Sequence, residues 1–161
     1  MTLREKILQT FVVTIREVNR FGGPEAFFSK FPVGGIYFSK MEEKDYDGTP
    51  ESGTPYTKAR LDECVKASRV PLLVCADGVE IPDQKVKVIT QSPIGASKNL
   101  EDAYNLGKIF GMQMNANGVD WLLGPIVDFF YDKSMPLFAF SDDADFTAKV
   151  SREILSHKKA E

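Results

Sequence analysis

Short apolar runs alternate with helical patterns along most of the chain. Four runs stand out: Phe11–Ile15 (F-V-V-T-I), Val33–Ser39 (V-G-G-I-Y-F-S), Pro71–Asp77 (P-L-L-V-C-A-D) and Gly118–Asp128 (G-V-D-W-L-L-G-P-I-V-D). They are rich in β-branched and aromatic residues and show little polar alternation, which predicts buried strands of a parallel sheet. The paired Gly34 and Gly35 predict a close backbone approach or a tight entry turn at the second strand. Between the runs lie helical patterns. Thr2–Gln9 opens with Thr2 and Glu5 at capping-box spacing. Pro24 is placed to begin a short helix, with Ala26, Phe27 and Phe31 on its inward side. Thr57–Ser68 offers Ala59, Leu61, Val65 and Ala67 to a core. Asn99–Asn117 carries Ala103, Leu106, Phe110 and Met114 at three- and four-residue steps, with Asn99 or Ser97 to cap it and Gly118 to end it in the left-handed conformation. Ser141–His157 is the last helix, with Ser141 as N-cap and Asp142, Asp143 and Asp145 in its first turns. Lys40–Pro55 reads as a polar surface loop, Gly78–Lys98 as irregular, and Asp132–Pro136 as a further loop.

The predicted order is a helix followed by four strand–helix units. Strands alternating with helices define an α/β fold with a parallel sheet. A chain of 161 residues is expected to form a single domain, 1–161, with a substantial core.

Composition narrows the partners. The chain is 43% apolar and 27% charged with a formal charge of −3, which speaks against a general nucleic-acid binder. The charged opening M-T-L-R-E-K-I and the short apolar runs predict neither a signal peptide nor a membrane span, so a cytoplasmic protein is expected. Cys64 falls in a helical pattern and Cys75 in a strand, which predicts buried free thiols. With one histidine, no zinc site is expected. The dinucleotide, phosphate-loop and nucleophile-elbow motifs are all missing, and no cofactor is expected.

Candidate chemistry sits at the strand ends, where parallel α/β folds bind ligands. Asp77 and Asp128 both end apolar runs. A pair of carboxylates can accept sugar hydroxyls, hold a hard cation, or serve as acid and base. The competing structural reading has Asp128 capping the next turn and Asp77 starting a turn with Gly78. Glu80, Asp83 and Lys85 follow Asp77 closely. The acidic triplet Asp142, Asp143 and Asp145 reads as helix capping and His157 as a solvated surface residue. Trp121, inside its strand, reads as core, whereas Phe129, Phe130 and Tyr131 form the more credible stacking surface.

Five segments in order resemble the N-terminal barrel of glycoside hydrolase family 3, which includes β-glucosidases and β-N-acetylglucosaminidases. They are T-L-R-E-K-I-L-Q near the start, V-G-G-I-Y-F at Val33–Phe38, V-P-L-L-V-C-A-D-G-V-E at Val70–Glu80, I-G-A-S-K-N-L-E-D-A at Ile94–Ala103, and G-V-D-W-L-L-G-P-I-V-D. Met135–Phe146 is a worn sixth match. The resemblance implies about four β/α units of a TIM-type barrel, a half-barrel. It also implies that Asp77 binds hydroxyls of the innermost sugar. The family's arginine eight positions later is matched by Lys85, which keeps the charge and loses the bidentate fork. A second sugar-binding arginine is matched by Phe138, and the family's E-G-G after the aspartate is not kept. A complete barrel takes about 250 residues. The family's Lys-His pair, nucleophile and acid/base come later and have no counterpart here, so no catalytic residue is assigned.

The resulting expectation is a substrate-binding set of Asp77, Lys85 and Asp128. The expected ligand is a β-glucoside or β-N-acetylglucosaminide, and the chain alone is expected to be inactive. Unpaired sheet edges predict self-association or a missing C-terminal half. Two rival readings remain: a non-catalytic carbohydrate-binding or assembly module, and an open-sheet α/β domain that holds a cation with Asp77 and Asp128.

Overall fold

The computed structural model describes residues 1–38, 58–77, 91–128 and 139–156. The elements, in order, are α1 (Leu3–Leu8), β1 (Val12–Thr14), α2 (Ile15–Arg20), α3 (Pro24–Phe28), β2 (Gly35–Tyr37), α4 (Lys58–Ala67), β3 (Leu73–Asp77), α5 (Gln91–Ser97), α6 (Leu100–Asn117), β4 (Trp121–Leu123) and α7 (Ala144–Ser156). The strands form one sheet in the order β1-β2-β3-β4, and every pair is parallel. The α/β half-barrel pattern of four parallel strands alternating with helices is therefore present. The chain divides into two compact units, Met1–Asp83 with Ala116–Leu123, and Gln84–Asn115 with Gly124–Glu161.

The first unit holds the whole sheet. Its N-terminal helix starts as the sequence predicts: Glu5 N–H donates to Thr2 Oγ1, and Thr2 N–H donates to the Glu5 carboxylate. Register aligns Val12 with Gly35 and Leu73, then Val13 with Ile36 and Val74, then Thr14 with Tyr37, Cys75 and Trp121. Ala76 then faces Leu122, and Asp77 faces Leu123. Aligned residues of a parallel ladder share a face, and the face alternates along each strand. One face carries Ile36, Val74, Ala76 and Leu122, all at 3% exposure or less. The other carries Val12, Leu73, Trp121 and Leu123, all exposed, together with Thr14, Tyr37, Cys75 and Asp77. The expectation of strands buried on both sides thus holds for one face only. The sequence is apolar on both, and this difference depends on what covers each face.

The Gly34–Gly35 pair serves the close approach that it predicts. A Cβ on Gly34 would lie 1.9 Å from the Gln9 carbonyl oxygen, and one on Gly35 would lie 2.7 Å from that of Leu73. The start of β4 is anchored by Asp120, whose N–H donates to Val74 O at 2.8 Å while Val74 N–H donates to Asp120 Oδ2 at 3.0 Å. Helices α2, α3 and α4 bury Ile15, Val18, Phe27, Phe28, Leu61 and Cys64. Phe21 meets Phe27 and Phe31 edge-to-face, and Phe31 lies tilted against Phe27. Asn19 accepts from Arg60 across α2 and α4.

Several expected faces differ. Phe28 rather than Ala26 joins Phe27 inside, and Phe31 is only partly covered. On α4, Leu61 and Cys64 are buried while Ala59 and Val65 are exposed. A short apolar set on a polar helix does not define which stripe is covered until its neighbours do. The predicted first strand is also cut short: Ile15 opens α2, capped by Thr14, whose hydroxyl accepts from Glu17 N–H.

The second unit is helical. Residues 91–97, read as irregular, form α5. Pro93 sits in its first turn, where its missing N–H costs no helical hydrogen bond. Helix α6 buries Ala103, Leu106, Phe110 and Met114, as their spacing predicts, and Gly118 ends it at φ +69°. Helix α7 is capped by Asp143, not Ser141: Asp143 Oδ1 accepts from Asp145 N–H and Phe146 N–H, while Ser141 Oγ accepts from Asp143 N–H. The buried face of α7 is Thr147, Val150, Ser151 and Ile154, a helical stripe. Close approaches at two glycines hold this unit together. A Cβ on Gly95 would lie 1.6 Å from Phe140 O, and one on Gly107 would lie 2.3 Å from Ile154 O.

Candidate functional site

Asp77 is the last residue of β3 and is half-buried. It stands at the C-terminal end of the sheet, where ligands bind in parallel α/β folds. Its neighbour Tyr37 closes β2. Register pairs Tyr37 with Cys75, so Asp77 lies two residues further along the same face. The tyrosine spans that offset: Tyr37 Oη donates to Asp77 Oδ2 at 2.5 Å. Cys75 lies level with Tyr37 on the same face, and Trp121 of β4 flanks it on the other side. Burial first, and then the charge of Asp77, push the Cys75 thiol above its ordinary 9.0. Both cysteines are free and buried, as expected from their positions.

The arrangement is a carboxylate with one oxygen occupied by a phenol and its second oxygen, Oδ1, carrying no described partner. An ionised carboxylate accepts about four hydrogen bonds and donates none. Its ligands are therefore groups that donate, such as hydroxyls, or a cation.

Trp121 corrects the sequence reading. It is not core: it is 48% exposed on the Asp77 face. A tryptophan inside an apolar strand gives no sequence sign of which side it takes. Nor does Tyr37 give a sequence sign of its contact with Asp77. Its Ile-Tyr-Phe context reads as strand composition, and only the β2–β3 register brings its hydroxyl to the acid.

Asp128 is exposed at the end of the segment that follows β4. Lys85, Glu80, Asp83, the aromatic triplet Phe129–Tyr131, Phe138 and His157 lie outside the described residues, as does the predicted loop Lys40–Pro55. Among the described residues, no group of three or more His, Cys, Asp or Glu side chains could hold a metal ion. Asp143 acts as the helix cap that the acidic triplet predicts. No described helix is long and apolar enough to cross a membrane.

Four parallel strands alternating with helices, with an acid closing β3, define an α/β protein of the barrel type. Solved structures define the type further. A glycoside hydrolase family 3 β-N-acetylglucosaminidase from Paenibacillus superposes over 99% of this chain and 31% of its own, with a TM-score of 0.71 and 19% identity. The β-glucoside phosphorylase BglX, bound to 2FGlc, covers 99% of this chain and 28% of its own at a TM-score of 0.75 and 16% identity. NagZ from Neisseria gonorrhoeae, in complex with N-trifluoroacetyl-D-glucosamine, covers 91% and 46% at 0.67 and 12%. The fold is that of the N-terminal part of glycoside hydrolase family 3. The chain spans between about a quarter and a half of the length of these structures. No family model matches the sequence, and no curated protein does.

Proposed function

We propose that this chain is a sugar-recognising part of a glycoside hydrolase family 3-type barrel. In this reading Asp77 accepts hydroxyls of a β-linked, non-reducing-end glucoside or N-acetylglucosaminide. The observation that supports it most is the placement of Asp77, half-buried at the end of β3 and braced by Tyr37. The sequence offers two further candidates for sugar contact, Lys85 by the family resemblance and Asp128 as a second acid that ends an apolar run. The sugars named for the BglX and NagZ structures support the ligand class.

The 161-residue chain by itself is proposed to bind without turnover. Retaining hydrolysis needs a nucleophile and an acid/base, and the family's residues for those roles have no match here. Calorimetry with methyl β-glucoside and methyl β-N-acetylglucosaminide tests the reading: binding that is markedly weaker in Asp77→Ala supports it, and no binding by the unaltered chain removes it. Nitrophenyl glycosides, with and without phosphate, test the second part. Release of nitrophenol under either condition contradicts it.

The exposed face bearing Val12, Leu73, Trp121 and Leu123 supports association as well. Exposed apolar area of this kind marks a contact surface, and β1 and β4 each have one edge unpaired among the described residues. A second copy or a further barrel segment fits that need. A concentration-independent monomer in sedimentation would exclude the second copy.

A further inference from the structure

Tyr37 reaches the carboxylate of the proposed sugar site through its hydroxyl. Asp77 can turn about its Cα–Cβ and Cβ–Cγ bonds, and the second of these rotors is broad. A carboxylate that is free to turn presents no fixed acceptor. Here the rotor has a stop. Tyr37 is fixed by its place in β2, which is paired on both sides, to β1 and to β3. Its ring reaches along the face to the next layer and its hydroxyl donates to Oδ2. That leaves Oδ1 as the oxygen turned to a ligand.

We propose that Tyr37 is the positioning residue of the Asp77 site. Its hydroxyl immobilises the carboxylate before a ligand arrives, so that Oδ1 meets one particular sugar hydroxyl. This inference rests on the reading of Asp77 as a sugar ligand. The physical effect is preorganisation: a side chain already ordered in the free protein does not lose rotamer freedom on binding. The hydroxyl also keeps one oxygen engaged, which favours a single donor at Oδ1 over a shifting pair.

The test uses the 161-residue chain and calorimetry with methyl β-D-glucopyranoside, methyl β-N-acetylglucosaminide and the mono-deoxy forms of the glucoside. The deoxy compound whose affinity is unchanged by Asp77→Ala identifies the hydroxyl that Asp77 accepts. Tyr37→Phe should then weaken the parent sugar by about two- to tenfold, and leave that one deoxy compound unchanged. A role in folding alone would weaken all ligands equally, and this pattern would overturn the inference. So would a Tyr37→Phe affinity for the parent equal to that of the unaltered chain, and in that case the sugar-site reading survives. Absence of binding by the unaltered chain defeats both. Tyr37→Leu is the second variant. It removes the donor as well, and it must show the same selective loss if the hydroxyl is the cause.

Discussion

Gln91 holds Ile126 by both ends of its amide. Its Nε2 donates to the Ile126 carbonyl at 2.6 Å, and the Ile126 N–H donates to its Oε1 at 2.8 Å. Gln91 is 6% exposed and opens α5, while Ile126 lies in the segment between β4 and Asp128. A side-chain amide thus stands in for a strand partner and fixes the route of the chain toward Asp128.

Replacing that amide should be costly, because a buried pairing is lost at both its donor and its acceptor. Gln91→Ala and Gln91→Leu should each lower stability by about 1–3 kcal/mol. Gln91→Glu, which keeps the acceptor and loses the donor, should destabilise at neutral pH and recover partly in mild acid as the carboxyl protonates. Urea unfolding followed by circular dichroism measures all three.

Two glycines provide a paired contrast. Gly95 lies against the Phe140 backbone, whereas a Cβ on Gly111 meets nothing within 4 Å. Gly95→Ala should therefore destabilise by about 1–3 kcal/mol, since the backbone on the other side must move. Gly111→Ala, inside α6, should stabilise by about 0.5–1 kcal/mol through a lower helix cost. Thermal melts of the two variants should shift in opposite directions.

Cys64 links stability to alkaline pH. Burial is the main cause that raises its thiol from 9.0 to about 11. The folded value lies above the unfolded one, so the neutral thiol's contribution is complete below about pH 9. It is lost as pH rises through about 11, because the unfolded chain ionises first. Urea midpoints should fall across that window, and Cys64→Ala should flatten the fall. At neutral pH the native thiol should react slowly with a disulfide reagent and quickly once unfolded.

Trp121 is the chain's single tryptophan and stands on the uncovered sheet face. In dilute solution its emission should be red-shifted and open to acrylamide. If a second copy covers the face, the emission should move to the blue and quenching should fall as concentration rises. Trp121→Ser should then shift the equilibrium toward monomer in sedimentation.

The sequence carries much of this fold. Four apolar runs separated by helical patterns are enough for a parallel α/β sheet, because strands joined by helical crossovers have few other ways to pair. Thr2 with Glu5, Gly34 with Gly35, and Gly118 were legible because a cap, a close approach and a left-handed residue each demand a narrow set of side chains. The place of Asp77 was legible for a similar reason: a charge closes an apolar run, and β3 ends there.

Other features were decided by tertiary structure. The apolar run Phe11–Ile15 extends one residue into α2, so its composition alone could not end the strand at Thr14. Helix α5 carries Pro93 and Gly95, which read as breakers until a first turn excuses the proline and the Phe140 backbone requires the glycine. Ser141 and Asp143 are equally good caps on paper, and the backbone path chose Asp143. Most telling are Trp121 and Tyr37. Which face an apolar strand residue takes, and which side chain two residues away it meets, depend on register between strands far apart in sequence. The sequence by itself determined a parallel α/β chain with an acid at a strand end. Only the tertiary structure decided that this acid is held by a tyrosine, on a face that leaves the tryptophan in the open.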